Sequence, residues 1–149
     1  MHHITNVSVE GFWETYSFTF HVNRDTTFFI GQNGSGKTTL INLIAAVLTA
    51  DMRTLAKIPF NRITIAFGPT KAKASPYVSV NKIQKKSRPF ESIEYKILSS
   101  TSGAKEVKYT IDEAEEEFFY RRSRGEDFPV EYYRRMQRGL LPELRGLFS

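Results

Sequence analysis

The segment at residues 31–38 combines residue types and a spacing that suit phosphate binding. Its sequence, GQNGSGKT, matches the pattern G-x-x-x-x-G-K-[ST] in full. The glycines let the backbone turn with positive φ and approach a ligand closely, so that successive N–H groups point into one concavity and bind phosphate oxygens. The motif therefore predicts a loop that holds the phosphates of a nucleotide.

The residues at the end of this segment have more specific predicted roles. Lys37 would reach the β- and γ-phosphates as a positive charge, and the Thr38 hydroxyl would be a ligand of Mg²⁺ shared with the same phosphates. Thr39 is expected to add a hydrogen bond to a phosphate. With ATP and Mg²⁺ as the predicted cofactors, the candidate binding residues are Gly31, Gln32, Asn33, Gly34, Ser35, Gly36, Lys37, Thr38 and Thr39, with Thr38 as the metal ligand.

A phosphate loop needs a strand before it and a helix after it, and the sequence predicts both. The short apolar segment TTFFI, at 26–30, predicts a buried strand that ends at the loop. Apolar residues on nearly every side of 40–48 predict a buried helix, whose N-terminus would add partial positive charge at the phosphates. Upstream, alternating side-chain character predicts strands at 4–10 and 16–22, separated by the turn GFWET.

The rest of the chain predicts a β-meander followed by helices. Four alternating segments, separated by loops rich in Gly, Pro, Ser and Lys, lie at 61–67, 77–83, 91–98 and 106–112. Acidic residues come first and arginines last in 112–124, the order that a helix dipole favours, and an arginine-rich helix is predicted at 130–148. The predicted fold is α/β, a P-loop NTPase lobe with a mixed or antiparallel sheet, a meander on one flank and two C-terminal helices.

Composition places the chain in one domain of ordinary globular character. Hydrophobic residues are 40% and charged residues 25% of 149, there is no cysteine, and the N-terminus lacks the features of a leader. Because no apolar segment approaches the roughly 18 residues of a membrane span, we expect a soluble cytoplasmic protein without a membrane partner. The domain divides into 1–50, a basic part at 51–111 with 12 basic and 4 acidic residues, and a helical part at 112–149.

Residues 4–48 resemble the opening of the ABC-type ATPase heads of the SMC, RecF, RecN and overcoming-lysogenization-defect (OLD) proteins, a group of AAA ATPases. In those heads an asparagine-phenylalanine turn after the first strand precedes a GxNGSGK loop. Here Gly11 and Phe12 stand at the turn, and GQNGSGKT stands at the loop. Trp13 replaces the basic residue that often follows the phenylalanine in that family.

The resemblance implies the N-terminal lobe of a longer ATPase. In such proteins two heads clamp two ATP molecules as a homodimer, and hydrolysis needs a second lobe, so this chain alone is expected to bind ATP without turning it over. The implied work is DNA repair, DNA handling or defence against phage, often with a nuclease or other effector as partner. The apolar helical face at the end of the chain, expected to lack cover within it, supports this interpretation: Leu140, Leu141, Leu144, Leu147 and Phe148.

Three segments could supply missing catalytic parts, and each has a simpler interpretation. Asp112 and Glu113 follow an alternating, half-exposed strand, whereas a Mg²⁺-binding aspartate needs a fully buried parallel strand, so an acid-rich helix start is favoured. Gln137 could sense the γ-phosphate, but an exposed glutamine on an amphipathic helix is the commoner case. The Ser-Gly pair within 99–105 lies between two strands, which favours a hairpin turn over an ATPase signature.

Six basic residues of the meander could bind DNA phosphates, and a solvated loop face explains them equally well. They are Lys71, Lys73, Lys82, Lys85, Lys86 and Arg88. Two alternatives to an ATPase remain open, a non-hydrolysing nucleotide-gated interaction module and a P-loop small-molecule kinase. The kinase is disfavoured because two antiparallel strands precede the loop here, whereas kinases begin almost at once with the strand that leads into it.

Overall fold

Six antiparallel strands form one sheet in the computed structural model, which describes residues 2–22, 36–68, 75–84, 91–99, 105–110 and 130–148, with the backbone alone at 84, 91 and 130–137. The strands are β1 (His3–Phe12), β2 (Tyr16–His21), β3 (Arg62–Gly68), β4 (Tyr77–Gln84), β5 (Glu91–Leu98) and β6 (Val107–Thr110). The helices are α1 (Lys37–Thr49), α2 (Met52–Lys57) and α3 (Val130–Gly146). The described fold is therefore α/β.

The strand order is β2-β1-β3-β4-β5-β6. From β3 to β6 each strand pairs with the next one along the chain, so this part is the predicted meander. β1 lies between β2 and β3, and its pairing with β3 joins the two ends of the segment that contains α1 and α2.

The two faces of the sheet differ in character, as period-two alternation requires. On the inner face Val9, Ile63, Val80 and Tyr95 lie in register on four neighbouring strands, and each is almost fully buried. The outer face carries paired hydroxyl groups, with Thr19 Oγ1 3.1 Å from Ser8 Oγ and Thr64 Oγ1 3.3 Å from Ser79 Oγ. The core therefore lies on one side of the sheet.

Helix α1 is buried along one side, which corrects the expectation that it is buried all round. Leu40, Leu43, Ala46 and Val47 belong to the core that they share with the inner face of the sheet. Ile41, which lies on the other side of the helix, is 49% exposed. The helix ends at Ala50, whose left-handed conformation (φ 54°) turns the chain toward α2.

Helix α2 was not predicted, although its N-cap is visible in the sequence. Asp51 Oδ1 accepts a hydrogen bond from the Thr54 backbone N–H at 3.2 Å, and Asp51 Oδ2 accepts one from the Thr54 hydroxyl at 2.7 Å. Met52 and Leu55 are buried. A capping aspartate followed by two apolar residues three apart is the signal that would have predicted this helix.

The expectation that the apolar face at the end of the chain lacks cover is wrong. Leu140, Leu144 and Leu147 are at most 2% exposed and belong to the same core as α1 and the sheet. Phe148 packs edge-on against Phe67 with ring centroids 4.9 Å apart. The sequence pattern located the apolar face correctly, but the shared core of this chain buries its three leucines, while Phe148 stays 40% exposed.

Two predicted elements, the strand at 26–30 and the helix at 112–124, lie outside the described residues. Within the described part of the chain, no helix has the length and apolar character needed to cross a membrane.

Candidate functional site

The first residues of α1 adopt the geometry expected at the end of a phosphate loop. Gly36 precedes the helix with φ 88° and ψ 6°, a left-handed conformation that glycine adopts without steric cost. Its carbonyl accepts the hydrogen bond of the Leu40 N–H at 2.8 Å, so the helix begins directly after it. Since Gly36 has no side chain to cap the helix, it leaves the N–H groups of the first turn to other acceptors.

Four of the nine predicted binding residues are described. Gly36, Lys37, Thr38 and Thr39 lie together at the N-terminus of α1, where Thr38 is exposed and the other three are half-buried. The remaining five, Gly31, Gln32, Asn33, Gly34 and Ser35, lie outside the described residues. The described part of the predicted loop therefore places the lysine and both threonines on one helical turn.

The turn between β1 and β2 packs directly against this helix start. A Cβ atom added at Gly36 would lie 3.2 Å from Phe12 Cε1 and 3.5 Å from Trp13 Nε1. The distance to Phe12 is shorter than most Cβ contacts, whereas the distance to Trp13 is an ordinary van der Waals contact, so a side chain here would require Phe12 to shift by a few tenths of an ångström. The contact joins the predicted phosphate loop to the segment GFWET.

A cavity of about 490 Å³ opens between the turn and α1. It is lined by Phe12, Trp13, Tyr16, Phe18, Gly36, Lys37 and Leu40. Trp13 is 48% exposed and Tyr16 62%, whereas Phe12 is buried beneath Trp13 with ring centroids 5.9 Å apart. Flat aromatic surfaces beside a lysine can hold a planar heterocycle and an anionic group at the same time.

The aromatic side of this cavity depends on an unusual turn. Gly11, Trp13 and Glu14 all have positive φ, at 69°, 51° and 69°. Left-handed conformations in non-glycine residues persist only where surrounding contacts impose them. Here the Trp13 N–H donates to the Pro59 carbonyl at 3.0 Å, and a Cβ at Gly11 would lie 2.3 Å from Asn61 Nδ2.

Tyr16 and Phe18 have no predicted role in the sequence analysis, although both line the cavity. Each stands on β2, and the alternation of that strand indicated only that its side chains divide between two faces. The signal that would have suggested them is the concentration of aromatic residues around the turn that resembles the ATPase heads, Phe12, Trp13, Tyr16 and Phe18.

The other candidate residues are only partly described. Asp112 and Glu113 lie outside the described residues, and Gln137 lies in α3, with its side chain outside the description. Of the six basic candidates for DNA binding, Lys71, Lys73, Lys85, Lys86 and Arg88 are also outside it. Lys82 is described, and its ammonium donates to the Ile58 carbonyl at 2.5 Å and lies 4.4 Å from the centre of the Phe60 ring.

Comparison with known proteins agrees with the motif and the geometry. A family model described as the AAA domain matches residues 6–132, which is more than half of the chain and includes both the β1–β2 turn and the phosphate loop. No curated protein matches the chain. The chain belongs to the AAA domain family, and its function is accordingly that of a nucleotide-binding domain of the ATPase type.

Proposed function

We propose that this chain binds ATP with Mg²⁺ as the first lobe of an ATPase head of the SMC, RecF and OLD type. The observation that carries the proposal is the contact of Gly36 with Phe12 and Trp13, because it brings an aromatic cavity beside the lysine of a complete phosphate-loop motif. The AAA domain match supports the same class of ligand.

The triphosphate and the base of the proposed ATP ligand contact different sides of the cavity. The triphosphate lies at the loop of residues 31–39, where Lys37 and the helix N-terminus provide positive charge. Thr38 is the proposed Mg²⁺ ligand, and its exposure at the first turn of α1 leaves the hydroxyl accessible to a cation. The base lies against Trp13 and Tyr16, whose exposed rings provide stacking surface.

Hydrolysis is proposed for the assembled ATPase. In heads of this type a catalytic carboxylate and a signature segment come from the second lobe and from the opposite subunit. We therefore propose that this chain binds nucleotide without any partner. ATP hydrolysis would need a second lobe and a homodimer partner. The proposed cellular work is DNA repair, DNA handling or phage defence, with a nuclease or other effector as the proposed partner.

The proposal for DNA binding uses the six basic residues of the meander named above, five lysines and Arg88. Its support is the net charge of 51–111, where 12 basic and 4 acidic residues are found. Lys82 is held inward by Ile58, so the other five residues would provide the phosphate contacts. Binding through counterion release predicts an affinity that falls steeply with salt, and an affinity for duplex DNA that is unchanged by salt would contradict it.

The test is a titration of Mg·ATP against the wild-type chain, Lys37→Ala and a matched control, Lys57→Ala, with bound nucleotide and released phosphate recorded together. Lys57 is an exposed lysine in the last turn of α2, so its loss changes the net charge equally. We expect binding in the wild type and the control, a loss of roughly tenfold or more in Lys37→Ala, and almost no phosphate release.

Two results would change the proposal. Equal binding by Lys37→Ala and the wild type would exclude the phosphate loop as the nucleotide site. Turnover that Lys37→Ala abolishes would show that the chain carries its own catalytic carboxylate, and Asp112 and Glu113 would become the first candidates.

A further inference from the structure

Lys82, near the C-terminal end of β4, makes two hydrogen bonds to the segment that connects α2 to β3. Its backbone N–H donates to the Asn61 carbonyl at 2.9 Å, and its ammonium donates to the Ile58 carbonyl at 2.5 Å. The same ammonium lies 4.4 Å from the centre of the Phe60 ring, a cation–π distance. One residue of the meander thus contacts three of the four residues at 58–61.

The segment at 58–61 in turn holds the turn of Trp13. Pro59 accepts the hydrogen bond of the Trp13 N–H, and the Asn61 N–H donates to the Glu10 carbonyl at 2.8 Å. The side chain of Asn61 occupies the space beside Gly11. Since Trp13 and Glu14 have left-handed backbone conformations, the turn needs such outside contacts to keep its shape.

These contacts form a continuous path from the meander to the aromatic side of the cavity. Lys82 fixes Ile58 and Phe60, the adjacent Pro59 fixes Trp13, and Trp13 lines the cavity next to Gly36. The path does not pass through Lys37 or the first turn of α1. It therefore acts on the base side of the site without acting directly on the phosphate side.

We propose that Lys82 is a positioning residue for nucleotide binding, which holds Trp13 in the orientation that receives the base. This inference rests on the proposed function of the cavity as an ATP site. It gives Lys82 a role different from the DNA contact expected from sequence, because an ammonium hydrogen-bonded to Ile58 and placed over Phe60 is directed into the protein.

The experiment uses the full chain and compares Lys82→Met with Lys82→Arg and a control, Lys108→Met. Methionine keeps a long apolar stem over Phe60 and removes the charge and the donor, whereas arginine retains both. Lys108 is a meander lysine on β6, 3.5 Å from Glu94, and its side chain is 55% exposed. Lys108→Met therefore removes one positive charge, as Lys82→Met does, but on a different strand of the sheet.

Comparing two ligands distinguishes an effect on the base side of the cavity from an effect on its phosphate side. Affinities are measured for Mg·ATP and for Mg·tripolyphosphate, which carries the three phosphates without a base. Trp13 is the only tryptophan of the chain, so acrylamide quenching of tryptophan fluorescence reports its exposure alone. This readout needs no nucleotide.

We expect Lys82→Met to weaken ATP binding by roughly three- to tenfold, to leave tripolyphosphate binding unchanged, and to raise the quenching of Trp13. In Lys82→Arg and in Lys108→Met, the affinities for ATP and tripolyphosphate and the quenching of Trp13 should all stay near those of the wild type. Lys37→Ala should weaken the binding of both ATP and tripolyphosphate. If Lys82→Met does not fold, Lys82→Leu, which also removes both the charge and the donor, replaces it with the same expected results.

Trp13 quenching that is unchanged in Lys82→Met would overturn the proposal, and so would an equal loss of affinity for both ligands. A wild-type chain that binds no ATP, together with increased quenching in Lys82→Met, would reject the nucleotide site and retain Lys82 as the residue that holds the turn.

Discussion

Gly36 is the residue at which backbone conformation and side-chain packing impose the same requirement. Its left-handed φ favours glycine, and a Cβ there would lie 3.2 Å from Phe12 Cε1, closer than most Cβ contacts. The motif predicted a glycine here for approach to a phosphate. The structure adds a second reason that involves the protein itself, since the last glycine of the predicted phosphate loop lies against the aromatic turn.

Gly36→Ala should destabilise the chain by about 1–2 kcal/mol, the cost of a left-handed residue with a Cβ, and should weaken ATP binding as Phe12, which packs against Trp13, is displaced. The measurements are urea unfolding and an ATP titration. The control is Gly146→Ala, because no atom lies within 4 Å of a Cβ built there. That change should alter stability by less than about 1 kcal/mol. Equal effects of the two changes would contradict this account of Gly36.

Tyr77 should make the stability of the chain depend on alkaline pH. Its hydroxyl donates a hydrogen bond to the Glu106 carboxylate, and this bond, with smaller effects of burial and of the Glu106 charge, raises the pKa of Tyr77 from 10.0 to about 12. Because the folded state holds the proton more tightly than the unfolded state, the stabilisation is complete below pH 10.0 and is lost as the pH rises through about 12.

The free energies of unfolding of the wild type and Tyr77→Phe test this dependence. The wild type should be the more stable by a constant amount at neutral pH, and the difference should narrow between pH 10.0 and about 12. A difference that stays constant through this range would show that the Glu106 bond does not stabilise the folded state.

At the scale of secondary-structure elements, Tyr95 connects the meander to the helix of the phosphate loop. Its ring lies in the core on β5, and its hydroxyl donates to the Val47 carbonyl near the end of α1 at 3.0 Å. Burial raises the pKa of Tyr95, so the hydroxyl keeps its proton through the ordinary pH range. The bond fixes α1 against the inner face of the sheet.

Tyr95→Phe should cost about 1 kcal/mol of stability, because it removes the hydrogen bond and keeps the ring. Tyr109→Phe is the matched control, since Tyr109 lies directly opposite on β6 and is only partly buried. Urea unfolding of the two variants measures the difference. A larger loss in Tyr109→Phe than in Tyr95→Phe would argue against the bond to α1.

The strands were largely predictable from the sequence, because alternation is a local property that each strand carries by itself. The neighbours of each element were less predictable. The apolar face of α3 was located correctly and its cover was not, since the residues of α1 and of the sheet that share a core with Leu140 and Leu144 are distant in sequence. Similarly, the apolar character of α1 did not show that Ile41 faces outward.

Only one side of the candidate site could be predicted from the sequence, because local patterns are visible there and contacts between distant segments are not. Its phosphate side is a contiguous motif, so residues 31–39 could be proposed from the sequence alone, and Gly36 to Thr39 are the part that the structure describes. Its aromatic side arises where the β1–β2 turn meets α1, and the supports of that turn come from 58–61 and β4. Contacts between separate segments leave no pattern in a single sequence.

On the scale of the whole molecule, one core joins the sheet to the three helices that the structure describes. Val7 of β1, Leu43 of α1, Leu55 of α2 and Leu144 of α3 belong to the same buried cluster. No described element has a separate core of its own, so a cavity made at one end of this cluster should lower the stability of the described fold as a unit.

Leu144→Ala should therefore lower the free energy of unfolding by about 2–5 kcal/mol, the range for truncating a buried leucine. Ile41→Ala removes a similar aliphatic group from a side chain that is 49% exposed, and should cost less than about 1 kcal/mol. Denaturant unfolding, followed by both circular dichroism and Trp13 fluorescence, checks the sizes and the cooperativity. Separate transitions for the two probes would contradict a single core.

The pairing of β1 with β3 also has a consequence for the order of folding. The meander from β3 to β6 closes short loops, which form quickly, whereas β1 reaches β3 only after the chain between Phe12 and Arg62, including α1 and α2, has been brought back on itself. Trp13 and Gly36 meet within that large loop. The transition state should thus contain the meander before the cavity, with substitutions in β4 and β5 slowing folding and substitutions at the turn of Trp13 mainly accelerating unfolding.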